Sequence, residues 1–128
     1  MRVLVCGGRD YTNATNVNSW LDSLSVHQEV TTVIHGGATG ADELADQWAK
    51  THGVAVNKFQ ADWSKHGKAA GPIRNAQMLD EGKPDVVLAF PGGRGTADMV
   101  RKARTAGIET IEVDPKSSAN PPAPDSRT

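Results

Sequence analysis

The chain has 128 residues, of which 38% are hydrophobic and 23% charged, with a formal net charge of -1. That is the balance of one globular domain rather than of a disordered chain. The near-zero charge disfavours nucleic acid as a partner, and no apolar run approaches the roughly 20 residues of a membrane helix. One cysteine rules out an internal disulfide, and no CxxC or HxH spacing suggests a zinc site, so no cofactor and no metal site is expected. The apolar run of MRVLVCGG stops at Gly7 without a cleavage region, so it does not read as a signal peptide; the expected location is the cytoplasm.

In chain order, Val3-Leu4-Val5-Cys6 predicts a strand at about 2–6, ended by Gly7 and Gly8. Val17, Trp20, Leu21 and Leu24 then recur at helical spacing. A second strand, at about 30–35, runs into Gly36, Gly37 and Gly40. Ala41, Leu44, Ala45, Trp48 and Ala49 mark the next helix, followed by a strand at about 54–59. Ile73, Ala76 and Leu79 form a shorter helical stripe. A strand at about 85–90 ends in Gly92, Gly93 and Gly95, before the stripe Met99, Val100, Ala103 and Ala106 and a last strand at about 108–113. Gly53, Gly82 and Gly107 stand where a left-handed residue closes a helix.

Strands that are apolar along most of their length, each separated by one helix, imply a parallel sheet covered on both faces. The predicted fold is a three-layer Rossmann-like α/β domain over residues 1–114, with five parallel strands in the order 3-2-1-4-5. Residues 115–128 hold four of the seven prolines and no large apolar side chain. They predict a disordered Pro-rich tail.

All three glycine clusters fall at the C-terminal ends of strands, where open parallel sheets bind ligands. Glycine lets backbone approach a ligand, and the following helix N-terminus offers unpaired N–H groups to a phosphate. The loops at 7–12 and 91–96 should face one crevice, with 35–42 as a side wall. None is a dinucleotide or ATP fingerprint: Cys6-Gly7-Gly8-Arg9-Asp10 is not GxGxxG, and no GxxxxGK[ST] occurs. The candidate ligand- and phosphate-binding residues are Gly7, Gly8, Arg9, Asp10, Gly36, Gly37, Arg74, Asn75, Pro91, Gly92, Gly93, Gly95 and Thr96.

Several have a structural reading beside the functional one. Arg94 points to solvent or clamps a phosphate. Asp10 binds ribose hydroxyls or caps the helix that begins near Thr12-Asn13. Thr39 and Asp42 have capping-box spacing, and His35 is an acid–base group or a hydrogen-bonded structural histidine. Tyr11 stacks on a base or packs in its turn, Cys6 reads as a small hydrophobe, and Trp63, Lys65, His66 and Lys68 form a lid or a solvated loop.

The segments CGGRDY (6–11), HGGATGAD (35–42), AAGPIRNAQM (69–78) and AFPGGRGTADM (89–99) together resemble the SLOG superfamily, and more narrowly its YspA/YpsA-related domains, over about residues 2–112. The resemblance implies a Rossmann-like fold that binds nucleotides or nucleotide-derived ligands, as a sensor, a sequestering domain or an enzyme, and self-association as a homodimer. In the LOG-type phosphoribohydrolases of this superfamily the signature is PGGxGTxxE with an upstream arginine. Pro91–Thr96 and Arg74 are similar to those parts, but the glutamate position is Met99, which cannot move a proton. Binding is therefore the leading expectation. The alternative is an N-glycosidic-bond enzyme (hydrolase or base exchange) using Asp10, Asp42 or Asp98. Single-stranded nucleic-acid binding, on the core shared with a bacterial DNA-processing family, is disfavoured by the charge.

Overall fold

The computed structural model describes residues 1–113; the proline-rich segment 115–128 lies outside the described residues. The elements run β1 (Arg2–Cys6), α1 (Ala14–His27), β2 (Thr32–His35), α2 (Ala41–Thr51), β3 (Ala55–Lys58), α3 (Trp63–His66), a 3₁₀ turn (Gly67–Ala69), α4 (Ala70–Gly82), β4 (Val86–Ala89), α5 (Arg94–Thr105) and β5 (Glu109–Glu112). The sheet is five-stranded and parallel throughout, in the predicted order β3-β2-β1-β4-β5. Because side chains alternate across a strand, β1 feeds two cores. Val3 and Val5 pack with Leu21 of α1 and Trp48 of α2, while Leu4 and Cys6 pack with Met78 of α4 and Met99 of α5. Each fully buried large side chain contributes about 1.5–3 kcal/mol, so central strands apolar on both faces hold the layers together.

Three local expectations are corrected. The stripe Ile73, Ala76, Leu79 is not the core face of α4: Ile73 is 44% exposed, and the inward residues are Ala70, Asn75 and Met78. A buried asparagine and small residues replace the apolar period there. Residues 63–69 are not an open loop but a helical turn and a 3₁₀ turn. The Asp62 carboxylate organises them, accepting from Lys65 N at 3.1 Å and Ser64 Oγ at 2.7 Å. The cap of α1 is Asn13, which accepts from Asn16 N at 3.0 Å, not Asp10.

Gly53 and Gly107 do take left-handed φ values of 67° and 76° after their helices. Gly82 does not; it is the last residue of α4, where a Cβ would sit 3.3 Å from the Ile34 side chain. The left-handed turn falls instead on Lys83, at φ 50°. An L-side chain in that region costs roughly 1–2 kcal/mol. Lys83→Gly relieves it against a more flexible unfolded chain, so thermal melts should show Tm rising by about 2–5 °C.

Candidate functional site

The three glycine loops meet at the C-terminal edge of the sheet, and Gly8 joins them. Its N–H donates to Pro91 O at 2.8 Å, and its carbonyl accepts from Ala41 N and Tyr11 N, both at 3.2 Å. Two further glycines are needed for this contact. Gly40 has φ 76°, and a Cβ there would lie 2.1 Å from Gly8 O. At Gly92 a Cβ would lie 2.7 Å from Gly8 N and 2.2 Å from Thr96 Oγ1. Gly93 and Gly95 differ: a Cβ at either would meet nothing within 4 Å.

These loops border a cleft of about 580 Å³ that also reaches Trp63, Arg74 and Asn75. A more open groove of about 750 Å³ between the outer faces of α4 and α5 holds none of the glycine loops. Of the sequence candidates, Gly7, Gly8, Arg9, Asp10, Arg74, Asn75, Gly93, Gly95 and Thr96 line the cleft, as does Arg94. Pro91 and Gly92 support its edge through Gly8.

Gly36 and Gly37 stand apart, in a smaller pocket next door. Their amides are already used: Gly36 N donates to Asp42 Oδ2 at 3.0 Å and Gly37 N to His35 Nδ1 at 2.9 Å. The second bond puts the His35 proton on Nε2, which lies 2.9 Å from Asp46 Oδ1. His35 is 2% exposed and spent on holding its own turn.

Asp42 and Thr39 do not form a capping box. The cap position of α2 is Gly40; Thr39 Oγ1 donates to Arg9 O at 2.9 Å, and Asp42 binds the Gly36 and Ala38 amides. Burial pushes the Asp42 carboxyl up, against the pull of the Ala38 amide, His35 and Arg74. Tyr11 packs on Phe90 at 5.4 Å between ring centroids and accepts from Asn16 Nδ2. Cys6 is buried, and burial, reinforced by Asp42, pushes its thiol up to about 12. It packs as a small hydrophobe at the floor of the cleft.

Arg74, on the second turn of α4, donates from Nη1 to Gly36 O at 2.8 Å and from Nε to Asn75 Oδ1 at 3.1 Å. Both partners are neutral. Burial lowers the guanidinium's affinity for its proton; Asp42 opposes this and the Arg9 charge adds to it, yet an arginine stays charged. Asn75, 3% exposed, donates from Nδ2 to Gly95 O and to Asp98 Oδ2, each at 3.1 Å. It ties α4 to the start of α5. Arg9 lies over the Trp63 ring, 5.4 Å from its centroid, a cation–π geometry. Sequence spacing does not show this pairing, because Arg9 lies in the loop after β1 and Trp63 at the start of α3, more than 50 residues apart.

The cleft's other carboxylate on α5, Asp98, is held by Lys102, Arg101 and Asn75. Burial pushes its carboxyl up, but the Lys102 and Asn75 hydrogen bonds outweigh that and keep it below its ordinary 3.8. Met99 is 0% exposed, in the core beneath.

Fold and cleft together define a three-layer Rossmann-like domain whose C-terminal sheet edge is built from glycine loops. The profile of the YspA, cpYpsA-related SLOG family (YAcAr) matches residues 1–66. The gene 61 protein of Mycobacterium phage D29 is 42% identical over 123 residues, covering 90% of this chain and 98% of that protein. The chain belongs to the YspA, cpYpsA-related SLOG family. Solved structures share the fold. UDP-GlcNAc 2-epimerase of Neisseria meningitidis has TM-score 0.58 at 20% identity over 88% of this chain and 32% of its own. DNA processing protein A of Streptococcus pneumoniae has TM-score 0.50 at 17% identity over 86% and 58%. Phosphoribosylglycinamide formyltransferase of Bacillus halodurans has TM-score 0.53 at 19% identity over 90% and 56%. The chain thus spans less than two thirds of each of these structures. No described helix is long and apolar enough to cross a membrane.

Two predictions follow from the α5 geometry. Met99→Glu places a carboxylate in the core rather than in the cleft; it should lower stability by about 3 kcal/mol or more, measured by denaturant titration, without creating cleavage of nucleoside monophosphates. Asp98 has a depressed value, so its stabilisation is in place above 3.8 and lost as pH falls through the lower value of the folded state. In thermal melts, Asp98→Asn should therefore lie below wild type at pH 7 and converge with it in acid.

Proposed function

We propose that the cleft binds a nucleotide or nucleotide-derived ligand, as a sensor or sequestering domain, with phosphate at the N-terminus of α5. The observation that carries this reading is the open space at Gly93 and Gly95. The other glycines of the edge are accounted for by chain packing; these two are accounted for by a guest that approaches the backbone. The first-turn amides of α5, at Arg94, Gly95 and Thr96, lack acceptors within the helix and carry its positive end. Arg9, Lys68, Arg74 and Arg94 add positive charge around the same cleft, and Asp10 offers a carboxylate for ribose hydroxyls. Asn75 is a positioning residue that sets Arg74 against the α5 start. Binding without turnover is favoured by the burial of Met99 and by the hydrogen bonds and ion pairs that occupy Asp98.

Ligand-observed NMR with AMP, GMP, CMP, UMP, NAD and ADP-ribose tests the reading. Saturation transfer from at least one member, with the ligand intact after hours, is expected. Gly95→Leu separates this from a purely structural role. A better helix former at an exposed first-turn position leaves Tm unchanged or raised, while binding should weaken about tenfold or more, a loss of about 1.4 kcal/mol. Unchanged binding by Gly95→Leu, or no binding by any panel member, overturns the proposal; released free base replaces it with an N-glycosidase.

A further inference from the structure

The smaller pocket beside the cleft, about 220 Å³, lies between the turn Gly36–Thr39 and the segment Gln60–Ala61. The two cavities share Arg9, Ala38, Trp63 and Arg74 as boundaries. They are therefore adjoining compartments with two arginines at the neck. Alone, 220 Å³ falls below the roughly 300–1,000 Å³ of a self-sufficient ligand site, whereas the cleft falls within that range. The smaller compartment is an annex.

The neck is electrostatically unfinished. Neither Arg9 nor Arg74 takes part in an ion pair among the described residues. Arg74 spends two N–H groups on neutral oxygens; the buried Asp42 carboxylate supports its charge without pairing with it directly, and the charge of Arg9 works against it. Two like charges held near each other, one of them partly desolvated, are stabilised by an anion between them. The Gly36 wall is bare for a related reason: a Cβ there would stand 2.3 Å from Arg74 Nη1. Any side chain would push the guanidinium out of the neck.

We infer that the ligand is two-ended: a nucleoside diphosphate carrying a further group such as a sugar, with its first phosphate at the α5 N-terminus, its second at the Arg9–Arg74 neck and the further group in the annex. This rests on the nucleotide-binding reading of the cleft and specifies its ligand class. A nucleoside monophosphate leaves the annex empty and the neck without its bridging anion.

Calorimetric titration of the full chain with AMP, ADP and ADP-ribose, and with UMP, UDP and UDP-glucose, tests it. In at least one series the extended diphosphate should bind about tenfold or more tighter than the monophosphate. Gln60 lines the annex and not the cleft. Gln60→Trp should therefore bring the extended ligand down to the affinity of the plain diphosphate, leaving the monophosphate within about twofold. Equal affinity across both series overturns the two-ended ligand while leaving the cleft as a nucleotide site. A preference that survives Gln60→Trp overturns the annex. No binding in either series overturns the inference, and no binding by GMP, CMP and NAD as well removes the underlying reading with it.

Discussion

Gly8 donates its N–H to the Pro91 carbonyl and accepts at its own carbonyl from Ala41 and Tyr11. Through it the loop after β1 is fastened to the loops after β2 and β4, the two strands that flank β1. Such contacts are backbone to backbone, and they form only where no side chain intervenes. That excludes a Cβ from Gly40 and Gly92 and brings the starts of α2 and α5, which cover opposite faces of the sheet, together at its C-terminal edge. The cleft is the space left between those helix starts and the first turns of α4.

A second set of contacts positions the charges. Arg74 reaches from α4 to Gly36 of the β2 loop, and Asn75 beside it reaches to Gly95 of α5. Adjacent residues on one helix thus face in directions about 100° apart and reach two different elements, the β2 loop and the first turn of α5. Asp98 closes the arrangement by binding Asn75 and Lys102, so α4 and α5 are clamped just below the cleft. Its carboxylate is consumed in structure.

Sheet order and strand positions were legible in the sequence because a parallel strand buried on both faces is nearly continuous in apolar residues, and glycine marks its C-terminal end. The loop at 91–96 was legible for the same reason. Less visible was the inner face of α4, where Asn75 and Ala70 do the burying and Ile73 is left outside. The Thr39–Asp42 spacing fitted a capping box, yet the carboxylate turns back to the Gly36 and Ala38 amides. Spacing alone does not separate these two uses of an aspartate. The position of Lys83 was equally hidden, since packing against Ile34 claims Gly82 and moves the left-handed turn one residue along.

The central place of β1 also bears on how the protein emerges during synthesis. Its first partner, β2, follows about 30 residues later, as in the register Val3↔Val33; on its other side Val3 pairs with Val86, 83 positions downstream. At about 5–20 residues per second, that interval is roughly 4–17 s. For those seconds the central strand of the sheet has one edge of its backbone without a native partner. Until β4 has been made, the edge of β1 that it covers carries unpaired backbone groups, the kind of edge that invites pairing with another chain.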